Sequence, residues 1–164
     1  MKTLYLIRHA KSDWAIANLP DIDRPLNERG YTDAHKMSLV LKAKKVSPDL
    51  IISSPAIRAI STALIFSRNL EVDPLAISVV KDLYNTNPKE YLKTIRSVEN
   101  KHNTVFIFGH NPIITNSVNS MITSFTKEMS TCSIAGIQCD TEKWSAFGTD
   151  PIELVYYDFP KNHP

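Results

Sequence analysis

Three short polar groups of residues follow apolar runs of the sequence, and each contains residue types that bind or transfer a phosphoryl group. Arg8 and His9 follow the first run, Arg58 lies shortly after the second, and His110 follows the third. Arginine binds phosphoryl oxygens through paired, charge-assisted hydrogen bonds, and a neutral imidazole is a nucleophile. Each group alone is a weak signal, so they indicate a site only if the fold brings them together.

The apolar runs predict the strands of a largely buried sheet. The three runs that precede the polar groups are apolar on both faces, as the strands of buried parallel sheets are. A fourth run is a further candidate, and the last two could form an antiparallel part of the sheet. The predicted strands are residues 3–8, 49–53, 75–80, 104–109, 133–139 and 152–159.

Helical patterns lie between these runs, and their first residues carry start signals. The first helix is predicted over residues 28–44, with Asn27 as its cap. Three further helices begin at a proline preceded by a capping side chain, at Ser54-Pro55, Asn87-Pro88 and Asn111-Pro112. Strands that alternate with helices predict a single three-layer α/β/α sandwich domain over residues 1–164, with a mostly parallel central sheet.

This arrangement predicts a crevice that binds an anion. Open α/β sheets bind ligands outside the carboxyl ends of their strands, which is where the three polar groups fall. Helix N-termini there add backbone N–H groups and a partial positive charge. If the three strands are neighbours, His9, His110, Arg8 and Arg58 face one crevice suited to a phosphate.

The composition excludes several other classes of protein. No segment approaches the roughly 20 apolar residues of a membrane helix, and the N-terminal residues lack a signal-peptide core. We therefore expect a cytoplasmic protein. A formal net charge of +2 from dispersed charges does not indicate a nucleic-acid partner. The two cysteines, Cys132 and Cys139, form neither a disulfide framework nor a zinc site by themselves.

A metal site is the main rival reading of the two histidines. Asp13 or Asp82 could complete a ligand set with His9 and His110. The neighbouring arginines argue against it, because guanidinium groups repel a divalent cation but attract a phosphoryl group. We expect neither a metal nor a cofactor.

Four blocks of the sequence together resemble the histidine phosphatase superfamily, most closely its small SixA-type branch. The blocks are residues 6–14 (LIRHAKSDW), 23–30 (DRPLNERG), 53–63 (SSPAIRAISTA) and 109–112 (GHNP). The resemblance implies a phosphoglycerate mutase-like fold and a covalent intermediate. It implies that His9 is the nucleophile, that Arg8 and Arg58 bind the phosphoryl oxygens, and that His110 donates to them. Arg24, Ser12 and Asn111 are expected to add substrate contacts.

A departure from the family pattern concerns the group that protonates the leaving oxygen. Many members have a glutamate in the segment that corresponds to residues 82–86, and here that segment has none. Asp82, Asp13 and Asp21 are candidates for this acid, and each could equally be a solvated turn residue.

The missing glutamate suggests a substrate class. The P–N bond of a phosphoramidate is labile and needs less acid assistance than an ester, which favours phosphohistidine on a protein, as the SixA-type resemblance implies. Two alternatives stay open: a phosphatase for small phosphate esters, and a phosphoprotein-binding module with little turnover.

Overall fold

A six-stranded β-sheet forms the centre of the molecule in the computed structural model, which describes residues 1–164. The strands are Lys2–Arg8 (β1), Leu50–Ser53 (β2), Ile77–Val79 (β3), Thr104–Gly109 (β4), Ile134–Cys139 (β5) and Ile152–Asp158 (β6). Their order across the sheet is β3-β2-β4-β1-β5-β6. The pairs β3–β2, β2–β4 and β4–β1 are parallel, whereas β5 is antiparallel to both of its neighbours. All six predicted strands are therefore confirmed to within two residues.

The sheet separates two apolar cores, because successive side chains of a strand point to opposite faces. In β1, Leu4 and Leu6 join the core on one face, while Tyr5 and Ile7 join the core on the other. The paired strand β4 alternates in the same way. Because both faces are covered, the central strands are apolar throughout.

Four helices cover the two faces of the sheet. They are Glu28–Ala43 (α1), Ile57–Asn69 (α2), Pro88–Arg96 (α3) and Ile113–Met121 (α4). The helices α1 and α2 pack together over the Tyr5 face, and α3 and α4 pack together over the Leu4 face. This confirms the predicted α/β/α sandwich. The longest helix has 16 residues, and no helical segment has the length and hydropathy of a membrane span.

Two of the four predicted helix caps are correct. The Asn27 side chain accepts a hydrogen bond from the backbone N–H of Gly30 at 2.8 Å, and the Asn87 side chain accepts from the N–H of Lys89 at 2.9 Å. Pro88 is the first residue of α3. In both cases a short polar side chain satisfies N–H groups that the first helical turn leaves without a partner.

The caps predicted at Ser54 and Asn111 are wrong. The helix α2 begins only at Ile57, and α4 begins at Ile113 after a cis Asn111-Pro112 peptide. The two polar side chains bind elsewhere: the Ser54 hydroxyl lies 2.6 Å from a ring nitrogen of His110, and the Asn111 amide donates to a carbonyl of a distant loop. Tertiary contacts at the sheet edge have replaced local capping.

Candidate active site

A cavity of about 490 Å³ lies at the carboxyl ends of β1, β2 and β4. Because β4 lies between the other two strands, the three polar groups predicted from the sequence meet in this cavity. Arg8, His9, Arg58 and His110 all line it. The rings of His9 and His110 are tilted against each other with their centroids 5.1 Å apart.

His9, the predicted nucleophile, is held in one tautomer by the backbone. Its Nδ1 lies 2.7 Å from the carbonyl oxygen of Ala10, so Nδ1 carries the proton and donates it to that oxygen. This leaves Nε2 unprotonated, and its lone pair accepts a long hydrogen bond from Arg58 Nε at 3.3 Å. Burial lowers the pKa of His9 to about 3, and the positive charges of Arg58 and Arg8 act in the same direction. The ring is therefore neutral at physiological pH, as nucleophilic attack requires.

His110 is held by a side chain instead. The hydroxyl of Ser54 accepts a long hydrogen bond from the N–H of Ala56 and has no acceptor for its own proton other than His110 Nε2. Nε2 therefore accepts, and the proton of the neutral ring lies on Nδ1. Nδ1 is buried and has no partner in the protein. Burial and the charge of Arg58 lower the pKa of His110 to about 3.

Arg8 is anchored at one nitrogen and free at another. Its Nη1 donates to the carbonyl oxygen of Met129 at 2.7 Å, whereas its buried Nε has no partner. Asn111 holds the same carbonyl at 2.9 Å and accepts a hydrogen bond from the hydroxyl of Thr115. The loop around Met129 thereby fixes both Arg8 and Asn111, and Asn111 also lines the cavity.

Arg24, Ser12 and Trp14 form one wall of the cavity. The Arg24 Nη1 donates to the Ser12 hydroxyl at 3.1 Å, and the guanidinium carbon lies 3.4 Å from the centre of the Trp14 ring. Trp14 is nevertheless 72% exposed. It therefore lies at the rim of the cavity.

The three aspartates proposed as acids occupy different environments. Asp13 does not line the cavity; its carboxylate accepts from the N–H of Ala15 at 2.7 Å, as in a tight turn. Asp82 is exposed and also lies outside the cavity wall. Asp21 alone is a lining carboxylate. Its side chain contacts Arg58, Arg24 and Tyr84, and none of these contacts is visible in the sequence.

Two site residues escaped the sequence analysis. Tyr84 lines the cavity, and its ring meets that of His110 edge to face at 5.6 Å. Tyr84 lies within residues 82–86, the segment that holds a glutamate in many family members. The position of this segment was the one sign in the sequence that Tyr84 belongs to the site. The role of Ser54 was hidden because its position before a proline imitates a helix cap. No group of three or more His, Cys, Asp or Glu residues is arranged to hold a metal ion.

Comparison with known proteins places the chain in a family. The profile of the histidine phosphatase superfamily (branch 1) matches residues 4–104. The chain belongs to the histidine phosphatase superfamily. An uncharacterised chloroplastic protein of Arabidopsis thaliana is 29% identical to the chain over 153 residues, which cover 87% of this chain and 69% of the relative.

Solved structures of other proteins share the fold. A putative phosphohistidine phosphatase SixA from Agrobacterium tumefaciens has a TM-score of 0.81 at 27% identity, over 96% of this chain and 97% of its own. The protein histidine phosphatase SixA complexed with tungstate has a TM-score of 0.84 at 21% identity, over 99% of both chains. The superfamily match and the likeness to the Agrobacterium tumefaciens protein support a phosphatase of the SixA type, whereas the likeness at 21% identity shows the fold alone.

Proposed function

We propose that this chain is a metal-independent phosphohydrolase that forms a covalent phosphohistidine on His9 and acts on phosphohistidine of a protein. The observation that carries the proposal is the hydrogen bond from His9 Nδ1 to the Ala10 carbonyl at 2.7 Å. It directs the lone pair of Nε2 toward the donors that would hold a phosphoryl group. Arg58 Nε lies 3.3 Å from this nitrogen.

The first chemical step moves the phosphoryl group from the substrate to His9. Nε2 attacks phosphorus in line, the new P–N bond forms as the bond to the leaving group breaks, and Nδ1 keeps its proton against Ala10. Charge on the equatorial oxygens is stabilised by Arg8, Arg58 and His110, whose side chains line the cavity. In the second step water attacks phosphorus, and neutral His9 and inorganic phosphate are released.

The state of the lining carboxylate supports a phosphoramidate substrate. Asp21 is the only acidic residue of the cavity wall, and it is paired with arginines, so it holds no proton to give. An alkoxide leaving group needs a positioned acid. The ring of a phosphohistidine can instead be protonated from solvent at its second nitrogen, so that it leaves as neutral imidazole.

The test compares wild type, His9→Ala and a matched control, His35→Ala, which alters an exposed histidine of α1. Phosphate release is measured from a phosphohistidine peptide, a sugar phosphate and 4-nitrophenyl phosphate. An alkaline denaturing quench traps phosphorylated His9, because the P–N bond of phosphohistidine breaks in acid. We expect the highest kcat/KM on the peptide, with activity retained in His35→Ala and absent in His9→Ala. Equal rates in wild type and His9→Ala would refute covalent catalysis at His9.

Two further outcomes distinguish the alternatives. Faster turnover of the sugar phosphate than of the peptide would favour a phosphatase for small esters. Binding of the peptide without His9-dependent release would favour a phosphoprotein-binding module.

A further inference from the structure

Asp21 is an acidic residue in a cavity that is otherwise lined by positively charged and uncharged side chains, as a site for an anion would be. It opens a short 3-10 turn, Asp21–Asp23, on the loop that follows β1. The hydroxyl of Tyr84 donates to its Oδ2 at 2.7 Å, and Arg58 Nη2 donates to the same oxygen at 2.9 Å. Arg24 donates to Oδ1 through Nε, at 3.1 Å, and through Nη2. Both carboxylate oxygens are thus occupied within the protein.

The contacts of Arg58 divide its guanidinium group into two edges. Nη1 donates to the backbone oxygen of Asp21 at 2.6 Å and Nη2 donates to its carboxylate, so the outer end of the group is held by one residue. The Nε–H on the inner edge points to His9 Nε2 at 3.3 Å. Because the group is planar and rigid, fixing the outer end also fixes the direction of the inner edge.

Arg24 uses three of its five N–H groups in this arrangement. Each of its three nitrogens already donates, two to Asp21 and one to Ser12. One face of its guanidinium is covered by the ring of Trp14. Its contacts therefore hold Asp21 in place, and the direct substrate contact expected from the sequence stays a prediction.

The charge of Asp21 persists at any pH at which the protein would work. Partial burial tends to raise its pKa, but the hydrogen bonds from Tyr84, Arg24 and Arg58 outweigh this and hold the pKa well below its ordinary range. A carboxylate in this state cannot donate a proton to a leaving group. It also offsets one of the three arginine charges of the cavity wall.

We propose that Asp21 is a positioning residue, which aims the inner edge of Arg58 at the phosphoryl group on His9 and is itself held by Arg24. The inference rests on the proposed phosphoryl transfer at His9. It assigns Asp21 neither the role of general acid nor that of a competitor that keeps phosphate out of the site.

The central test is Asp21→Asn, which keeps the shape and one acceptor oxygen but removes the charge. The matched control is Asp23→Asn, an exposed residue of the same turn outside the cavity wall. We measure kcat and KM with 4-nitrophenyl phosphate, phenyl phosphate and a phosphohistidine peptide. Binding of orthophosphate to the same proteins is measured by calorimetry.

We expect Asp21→Asn to lower kcat by about 10- to 100-fold, the loss that a misdirected catalytic group produces. The factor should be the same for all three substrates, because the defect lies in Arg58 and not in the leaving group. Orthophosphate should bind at least as tightly as to wild type, because the cavity has lost a negative charge. Asp23→Asn should match wild type in every measurement.

Other patterns would overturn the proposal. A loss that grows with the pKa of the leaving group would identify Asp21 as a general acid. A higher kcat together with tighter orthophosphate binding would identify it as a competitor for the arginines. Equal behaviour of Asp21→Asn and Asp23→Asn would leave Asp21 without a role while the proposed function stands, whereas a wild type without His9-dependent turnover would overturn both.

A second variant keeps the test decisive if Asp21→Asn does not fold. Arg24→Gln should reproduce the kcat loss, because Arg24 acts through Asp21. Where both single variants fold, the double variant should lose no more than the more severe single one, as coupled residues do. An Arg24→Gln enzyme with unchanged kcat, or fully additive losses, would contradict the proposed chain of contacts.

Discussion

Acidification from pH 7 to pH 5 is expected to destabilise the fold through two buried histidines. Burial lowers the pKa values of His9 and His110 to about 3, whereas a histidine of the unfolded chain titrates near about 6.5. Below pH 6.5 the unfolded chain therefore binds more protons, and the free energy of unfolding falls as pH falls. The loss begins near the unfolded pKa and ends near the folded one.

The size of the effect follows from the number of protons. Each histidine that is protonated only on unfolding contributes a slope of up to about 1.4 kcal/mol per pH unit, and two of them lose roughly 4 kcal/mol between pH 7 and pH 5. This is a large share of the roughly 5–15 kcal/mol that stabilises an ordinary domain. Hydrogen bonds lower the pKa values of Asp21 and Asp158 despite partial burial. The contribution of both aspartates to stability is therefore lost only at pH values below this range.

Urea unfolding at pH 7, 6 and 5, in buffers without phosphate, measures this slope. His9→Asn and His110→Asn should each remove about half of the pH dependence, and the double variant should remove most of it. His35→Asn, which changes an exposed histidine, is the matched control and should keep the wild-type slope. A double variant that loses as much stability as wild type between pH 7 and pH 5 would refute the neutral, buried state of the pair.

Three further substitutions test single contacts. Ser54→Ala removes the hydroxyl that fixes His110 and should lower kcat by about 10- to 100-fold, less than the roughly 100- to 1000-fold cost of losing a transition-state donor itself. Ser53→Ala, whose hydroxyl donates to a backbone carbonyl, should leave kcat unchanged. Lys2→Met removes three hydrogen bonds from a buried ammonium group and should cost about 1–3 kcal/mol of stability in urea unfolding, with kcat unchanged. Gly109→Ala would place a Cβ 1.8 Å from the Tyr91 hydroxyl and should lower stability by about 1–3 kcal/mol in thermal unfolding, because that buried ring must move.

The strands and helices could be predicted from the sequence because the residues that determine them lie close together along the chain. A strand such as β4, from Thr104 to Gly109, is apolar on both faces whatever its neighbours are, and Asn27 caps α1 through an N–H three residues away. The caps predicted at Ser54 and Asn111 failed for the opposite reason. Their side chains bind partners 56 and 18 residues away, and no local rule could weigh those contacts against a cap.

Contacts between residues that are far apart along the chain also limit what can be predicted of the site. The meeting of His9, Arg58 and His110 follows from strand order, because parallel strands end at one edge. The charge state of Asp21 does not, because it depends on Arg58 and Tyr84, which are 37 and 63 residues away along the chain.

That charge state bears directly on the choice of substrate. An aspartate with a free proton would serve an ester, whereas an aspartate bound by two arginines and a phenol leaves the cavity wall without a carboxylic acid. The leaving group must then depart without one, which is the property of a phosphohistidine. The proposed substrate class thus depends on which contacts Asp21 makes, and the kinetics of Asp21→Asn across leaving groups test both together.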